Sequence, residues 1–296
     1  VFFLIQAILM GVSVASTAMV ARSWGAQQAK QAEIVTWTSI VISVALAAVL
    51  SIPILLAPEA IAGIFGLDEE TTALAASFIF WLGLFNIFSA ISMMLSTALR
   101  ATGNVITPLW FLLFSSIFNV TFAYLLAFGI GPLPKLGVTG VSLGGSFGAS
   151  IITMIFFFAW WRGHFNLKPT KRKSIDWATS KQMIKIGLPP VAEQGIVQLA
   201  FLAFFAIVAH YGTAAYASYG IGITLVAFPI VIGFGFGIAT ATLVGQQMGA
   251  GEPDLAVLAV ARSLRMALAS MILLSILLAT FAEELASFMI DDPEVI

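Results

Sequence analysis

GFGIATATLVGQQMGAGEPD, residues 235–254, is an apolar run rich in small residues that ends abruptly in a Gln pair, a Gly-Ala-Gly turn and two acids. GVSVASTAMVARSWGAQQAK, residues 11–30, has the same form. Sliding one onto the other puts Gly11 on Gly235, Ala15 on Ala239, Val20 on Val244, Gly25 on Gly249, Ala26 on Ala250 and Ala32 on Ala256. The register continues without a gap to Glu59/Glu283, Ala62/Ala286, Asp68/Asp292 and Glu70/Glu294. The order of span end, Gly-Ala turn, span and acidic loop is kept throughout. A long-period repeat of this kind means two copies of one structural unit.

Of the 296 residues, 60% are hydrophobic and 9% charged. A soluble domain carries about 25% charged residues, so this chain is solvated mainly by lipid. There is no Cys, which excludes disulfides, thiolate metal sites and a Cys nucleophile. A helix needs about 20 apolar residues to cross the hydrocarbon. Eight stretches qualify: 1–21, 34–57, 74–98, 105–129, 137–161, 184–209, 216–244 and 258–281. None alternates with period two, which argues against a barrel. The expected class is an all-α integral membrane protein.

The charges sort by loop. Arg22, Lys30, Arg100, the basic stretch from Arg162 to Lys185, Arg262 and Arg265 fall on one side; only Lys135 falls on the other. The opposite loops hold Glu59, Asp68, Glu69 and Glu70, then Glu283, Glu284, Asp291, Asp292 and Glu294. The positive-inside rule makes the basic side cytoplasmic, so loops 22–33, 99–104, 162–183 and 246–257 are expected there, in a multi-pass protein of the cell (inner) membrane.

Spans one and seven are copies and lie an even number of spans apart, so they cross in the same direction. The repeats are therefore parallel, related by an axis along the membrane normal. Each unit is expected to have six helices. That gives an N-terminal lobe at 1–166, a basic connecting loop at 167–183 and a partial second lobe at 184–296. The expectation is a longer protein, with one more helix before Val1 and three after Ile296, roughly 430–460 residues in all. Residues 1–296 alone are expected to be inactive.

The chain resembles the multidrug and toxic compound extrusion (MATE) family. The resemblance rests on VARSWGAQQAK at 20–30, ALRATGNVITP at 98–108, FNVTFAYLLAFGIG at 118–131, LGVTGVSLGGSFG at 136–148, KIGLPPVAEQ at 185–194 and VGQQMGAGEPD at 244–254. It implies two six-helix lobes in a V, exporting organic cations and other drugs in exchange for H⁺ or Na⁺. The implied partners are small-molecule organic cations or drugs and the bilayer, in a monomer.

An ionisable residue inside a span is a functional candidate by default. Glu193, in GLPPVAEQGIVQ, is the one good case, expected about nine residues into the sixth span. There a low dielectric would raise its pKa and let it take up a proton, ligate Na⁺ or pair with a cationic drug. Bonding to neighbouring backbone near the helix N-terminus is the plain structural alternative. Gln194 neighbours it and shares a face with Gln198. Asn119 is a candidate by the resemblance, whose pattern is Asn-x-x-x-Asp; here Ala123 stands at the Asp position, so that carboxylate is absent. Gln6 and Asn86 read as helix–helix glue. Pro229, mid-span and followed by three glycines, is a hinge candidate. Pro189 and Pro190 are expected in the first turns of the sixth span. Trp160, Trp161 and Tyr211 fit an aromatic belt. Phe118, Phe122, Tyr124, Phe201, Phe204, Phe205, Tyr216 and Tyr219 are aromatic positions with no cage readable from spacing.

His164 falls in a loop and His210 at a span end, so no His pair is expected to make a metal site, and the identity of any metal is unknown. No cofactor is expected beyond a coupling H⁺ or Na⁺. There is no P-loop, so no ATP binding, and no sign of nucleic acid. The leading expectation is a secondary active antiporter; the alternative is a lipid-linked-oligosaccharide flippase of a related group. A flippase of anionic head groups should carry Arg or Lys within its cavity, whereas the basic residues here sit in loops or at span ends. A membrane-embedded enzyme would need a His/Asp/Glu cluster at depth, and Glu193 stands alone.

Overall fold

The structure is a computed structural model, and it describes residues 2–64, 68–170, 176–209 and 213–289. Its helices are α1 (Phe2–Gly25), α2 (Ala29–Leu56), α3 (Pro58–Gly63), α4 (Glu69–Ala101), α5 (Ile106–Phe128), α6 (Gly137–Trp161), α7 (Trp177–Ala209), α8 (Thr213–Ala250), α9 (Pro253–Thr280) and α10 (Ala282–Met289). No strand occurs among the described residues. Eight helices, all but α3 and α10, are long and apolar enough to cross a membrane.

Most of these helices run past the apolar stretches that announce them. Polar first turns are held by caps: the Asp68 carboxylate accepts the Thr71 N–H at 3.0 Å to start α4. Asp176 accepts the Thr179 N–H at 3.1 Å, and the Thr179 hydroxyl as well, to start α7. As a result α7 begins at Trp177 rather than at 184. Pro189 and Pro190 therefore lie well inside α7, not in its first turns. Arg262 and Arg265, expected at the start of a span, likewise lie about two and a half and three and a third turns into α9.

The repeat holds at the level of single hydrogen bonds. Shifted onto the second copy, α2 (Ala29–Leu56) takes the bounds of α9 (Pro253–Thr280). Between α1 and α2 the Gln28 N–H reaches the Ser23 carbonyl at 2.9 Å, and between α8 and α9 the Glu252 N–H reaches Gln247 at 2.9 Å. Gln27 has φ 58°, and its counterpart Gly251 has φ 80°. After the second helix of each pair, Ala57 N–H bonds Pro53 and Phe281 N–H bonds Leu277. Identical backbone turns are thus built from different side chains.

The chain divides into two compact units, 1–191 and 192–296. In the first, α4 packs on both α1 and α2. Ile5, Leu9, Ala47, Ile54 and Ala90 form one buried cluster; Ala15, Val20, Ile40, Met94, Leu95, Ala98 and Leu99 belong to a larger one. Hydroxyls stitch the same helices, Ser13 to Thr97 at 2.9 Å and Ser39 to Ser16 at 2.9 Å, while Asn86 donates to Ser51 at 3.4 Å. Trp160 is buried and stacks on Trp37 with centroids 6.4 Å apart, so it is a core residue, not part of a belt. Trp161 is exposed. Helices α5 and α6 touch along a row of glycines. A Cβ on Gly140, Gly144 or Gly148 would lie 2.4, 2.2 or 2.5 Å from the carbonyl oxygen of Leu126, Phe122 or Phe118. Small residues at this spacing let helix backbones meet in a membrane.

In the second unit α8 packs on α9, and a groove of about 560 Å³ runs between them. Gly233, Gly237, Thr240, Val244, Ser263 and Met271 are among its lining residues. Their counterparts in the first unit are Leu9, Ser13, Ser16, Val20, Ser39 and Ala47, and α4 lies over that seam. Leu9 beside Ala47 has become Gly233 beside Met271: the large and small partners have changed places.

Candidate functional site

Within α7 the backbone is interrupted chemically, although the helix is continuous. Pro189 and Pro190 have no N–H, so the carbonyls of Lys185 and Ile186 lose their helical donors. Beside them α7 approaches α1 closely. A Cβ on Gly11 would lie 2.6 Å from the Gly187 oxygen, and one on Gly187 would lie 2.8 Å from the Gly11 oxygen. Only glycine at both positions permits that approach.

One turn on stand Glu193 and Gln194, then Gln198. Glu193 is near the middle of the 33-residue α7, about 24 Å along it from Trp177, not the shorter distance expected from a later start. Glu193 is exposed among the described residues. Gln194 is half-buried and Gln198 exposed. Among the described residues Glu193 is the one acidic side chain near the middle of a membrane-length helix. The others in such helices lie at or near helix starts, as Glu33, Glu69, Glu70 and Asp254 do.

Of the remaining candidates, Asn119 lies in the first unit, and Pro229 shares the second unit with Glu193 but is on a different helix. Asn119 is on α5 of the first unit, with its amide nitrogen 3.0 Å from where a Gly145 Cβ would be; it lies against the glycine row of α6. Pro229 is buried in α8, which runs unbroken from Thr213 to Ala250. In the second unit Tyr219 of α8 meets Phe204 and Phe205 of α7, with centroids 4.9 and 5.2 Å apart. This aromatic cluster, a few turns beyond Glu193, was not readable as a cluster from spacing. His210, Tyr211, Lys171, Arg172, Lys173, Asp291, Asp292 and Glu294, with the side chains of Tyr216 and Glu283, lie outside the described residues. No group of three or more His, Cys, Asp or Glu side chains suited to a metal ion occurs among the described residues.

A sequence profile of the MatE family matches residues 1–125 and 189–296. The chain belongs to the MatE family. Two relatives of this MatE chain are a probable multidrug resistance protein NorM from Thermotoga maritima and an FAD transporter from Shewanella oneidensis. The first is 25% identical over 304 residues, covering all of this chain and 64% of the relative. The second is 26% identical over 300 residues, covering all of this chain and 66% of the relative. The chain thus spans just under two thirds of their length. Among solved structures, an outward-facing multidrug resistance MATE family transporter of the MOP superfamily matches with TM-score 0.89 at 18% identity, over 97% of this chain and 63% of that one. A MOP superfamily transporter from Pyrococcus furiosus matches with TM-score 0.90 at 17% identity, over 99% of this chain and 65% of that one. The MatE fold of the chain is established by these likenesses.

Proposed function

We propose that the chain works in a secondary active antiporter, exporting organic cations or drugs in exchange for H⁺ or Na⁺ by alternating access of two lobes. The observation that carries this reading is Glu193. A carboxylate halfway along a membrane helix is costly, which makes it a candidate for a role in transport. It can hold a proton, a sodium ion or a cationic drug, one at a time. Exchange follows if ion and drug compete for it and bind the two access states unequally. Membership of the MatE family and relatives named for multidrug resistance support the same reading. Gln194 and Gln198 supply neutral hydrogen-bonding groups along the path, Asn119 a polar group in the first lobe, and Pro229 a hinge in α8. The basic loops lie on the cytoplasmic side of the cell membrane.

The test uses the whole protein in proteoliposomes. Efflux of a fluorescent organic cation is followed under an imposed pH gradient and then a Na⁺ gradient, with Glu193 and with Glu193→Gln. One gradient should drive efflux, and the substitution should abolish it. Efflux that survives in Glu193→Gln removes the carboxylate from the mechanism.

A second cargo class is favoured by one feature. Arg262 and Arg265 lie within α9 rather than at its start, and one relative is an FAD transporter. Movement of FAD, with no movement of the cation, would reassign the cargo to organic anions.

A further inference from the structure

A slot in the first unit lies between α4 and α6. Its volume is about 290 Å³, and it is lined by Phe88 and Ile91 from α4 and Thr153, Met154, Phe157 and Phe158 from α6. It is open to the surroundings: Met154 is 58% and Phe158 55% exposed. Arg162, the residue just past the end of α6, holds its guanidinium carbon 4.7 Å from the centre of the Phe158 ring. Stacking engages one face of the guanidinium and leaves its in-plane N–H donors available. Arg162 is exposed, and no carboxylate of the described residues is paired with it.

Met154, Phe158 and Arg162 are spaced four apart and form one strip of α6. Met154 lies about 12 Å below Arg162 along the helix axis. The strip is therefore apolar along its length and cationic at its tip, and the tip is at the basic ends of the spans. A phospholipid has the complementary pattern, an acyl chain below and a phosphate above. A headgroup with a net negative charge gains most from a lone guanidinium at that level. A zwitterionic headgroup brings its own ammonium beside the phosphate and gains less. We propose that the α4–α6 slot is a binding site for an anionic phospholipid, with an acyl chain along Met154 and Phe158 and the phosphate on Arg162.

The test measures lipid retention by native mass spectrometry on the whole protein, purified in detergent and supplied with equal phosphatidylglycerol and phosphatidylcholine. Phosphatidylglycerol should be retained about fivefold over phosphatidylcholine. Arg162→Gln should bring the two to parity, and Arg162→Lys should keep the preference. Met154→Trp, which fills the slot, should reduce retention of both lipids. Arg22→Gln, which removes another exposed arginine at a basic span end, should leave the preference intact. Equal retention by the native chain, or an undiminished preference in Arg162→Gln, overturns the proposal. So does an equal loss in Arg22→Gln, because that marks a diffuse positive field instead of a site.

Discussion

Gly144→Ala should be among the most damaging single-methyl additions available in this chain. Two effects oppose each other. Alanine in a helix interior gains about 1 kcal/mol over glycine in propensity. Against that, the new Cβ would lie 2.2 Å from the Phe122 carbonyl oxygen, 2.6 Å from its carbon and 2.9 Å from the Ala123 nitrogen. All three are backbone atoms, so no side chain can swing away. Relief requires α5 and α6 to part by about an ångström, which also loosens the Gly140 and Gly148 contacts on the same row. Overpacking typically costs 1–3 kcal/mol, and this site belongs at or above the top of that range, so a net loss of about 2 kcal/mol is expected. The assay is equilibrium unfolding in mixed detergent and SDS, followed by helical circular dichroism. Gly237→Ala is the control, because nothing lies within 4 Å of its added Cβ; it should be neutral or slightly stabilising. If Gly144→Ala unfolds at the same SDS fraction as Gly237→Ala, the two helices do not meet through that row.

Gln27→Gly should stabilise the α1–α2 turn by about 0.5–1 kcal/mol, since Gln27 holds φ 58° where the second copy uses Gly251; a lower unfolding midpoint in the same titration would contradict this. Leu9→Ala alone should cost about 2–5 kcal/mol and Ala47→Met alone about 1–3 kcal/mol, yet the double variant should recover at least about 1 kcal/mol of the sum, because it moves the pair towards the Gly233/Met271 arrangement. Simple additivity in that cycle would mean the two residues do not share a volume. The Thr71 N–H holds the Asp68 carboxyl below the usual aspartate range. The cap's contribution is therefore complete above the ordinary aspartate value and is lost as pH falls through the lowered one. Protection of the Thr71 amide from hydrogen exchange should follow that titration, and in Asp68→Asn it should not.

The membrane class, the span count and the repeat were legible because each rests on many residues at once. The α2 and α9 bounds coincide under the repeat shift because both turns are specified locally, by a left-handed residue and an i−4 carbonyl. Starts of helices were read late because hydropathy marks the hydrocarbon and not the helix. Asp176 and Thr179 form a cap signal that the apolar count ignores, and that error carried Glu193 and the proline pair too close to a helix end. Trp160 and Trp161 are adjacent and chemically identical, and only packing against Trp37 separates a core ring from a surface one. Gly140, Gly144 and Gly148 carried a readable four-residue spacing, but which helix it meets is a tertiary fact. Glu193 was picked out by its chemistry alone, while its exposure depends on what packs around α7.

The hydroxyls of the α1–α2 seam have a bearing on how the protein is made. A ribosome adds about 5–20 residues per second, so the roughly 45 residues from the end of α2 to the end of α4 take a few seconds. Throughout that interval the seam that α4 will cover faces lipid, where an unsatisfied donor is expensive. Thr17 donates to the Ser13 carbonyl at 3.0 Å, Thr36 to Ala32 at 2.8 Å and Ser39 to Val35 at 2.7 Å, each within its own helix. On α8 Thr240 does the same to Phe236 at 2.7 Å. Each helix therefore enters the bilayer with these hydroxyl protons already bonded, and can wait for its neighbour without a chaperone to shield them.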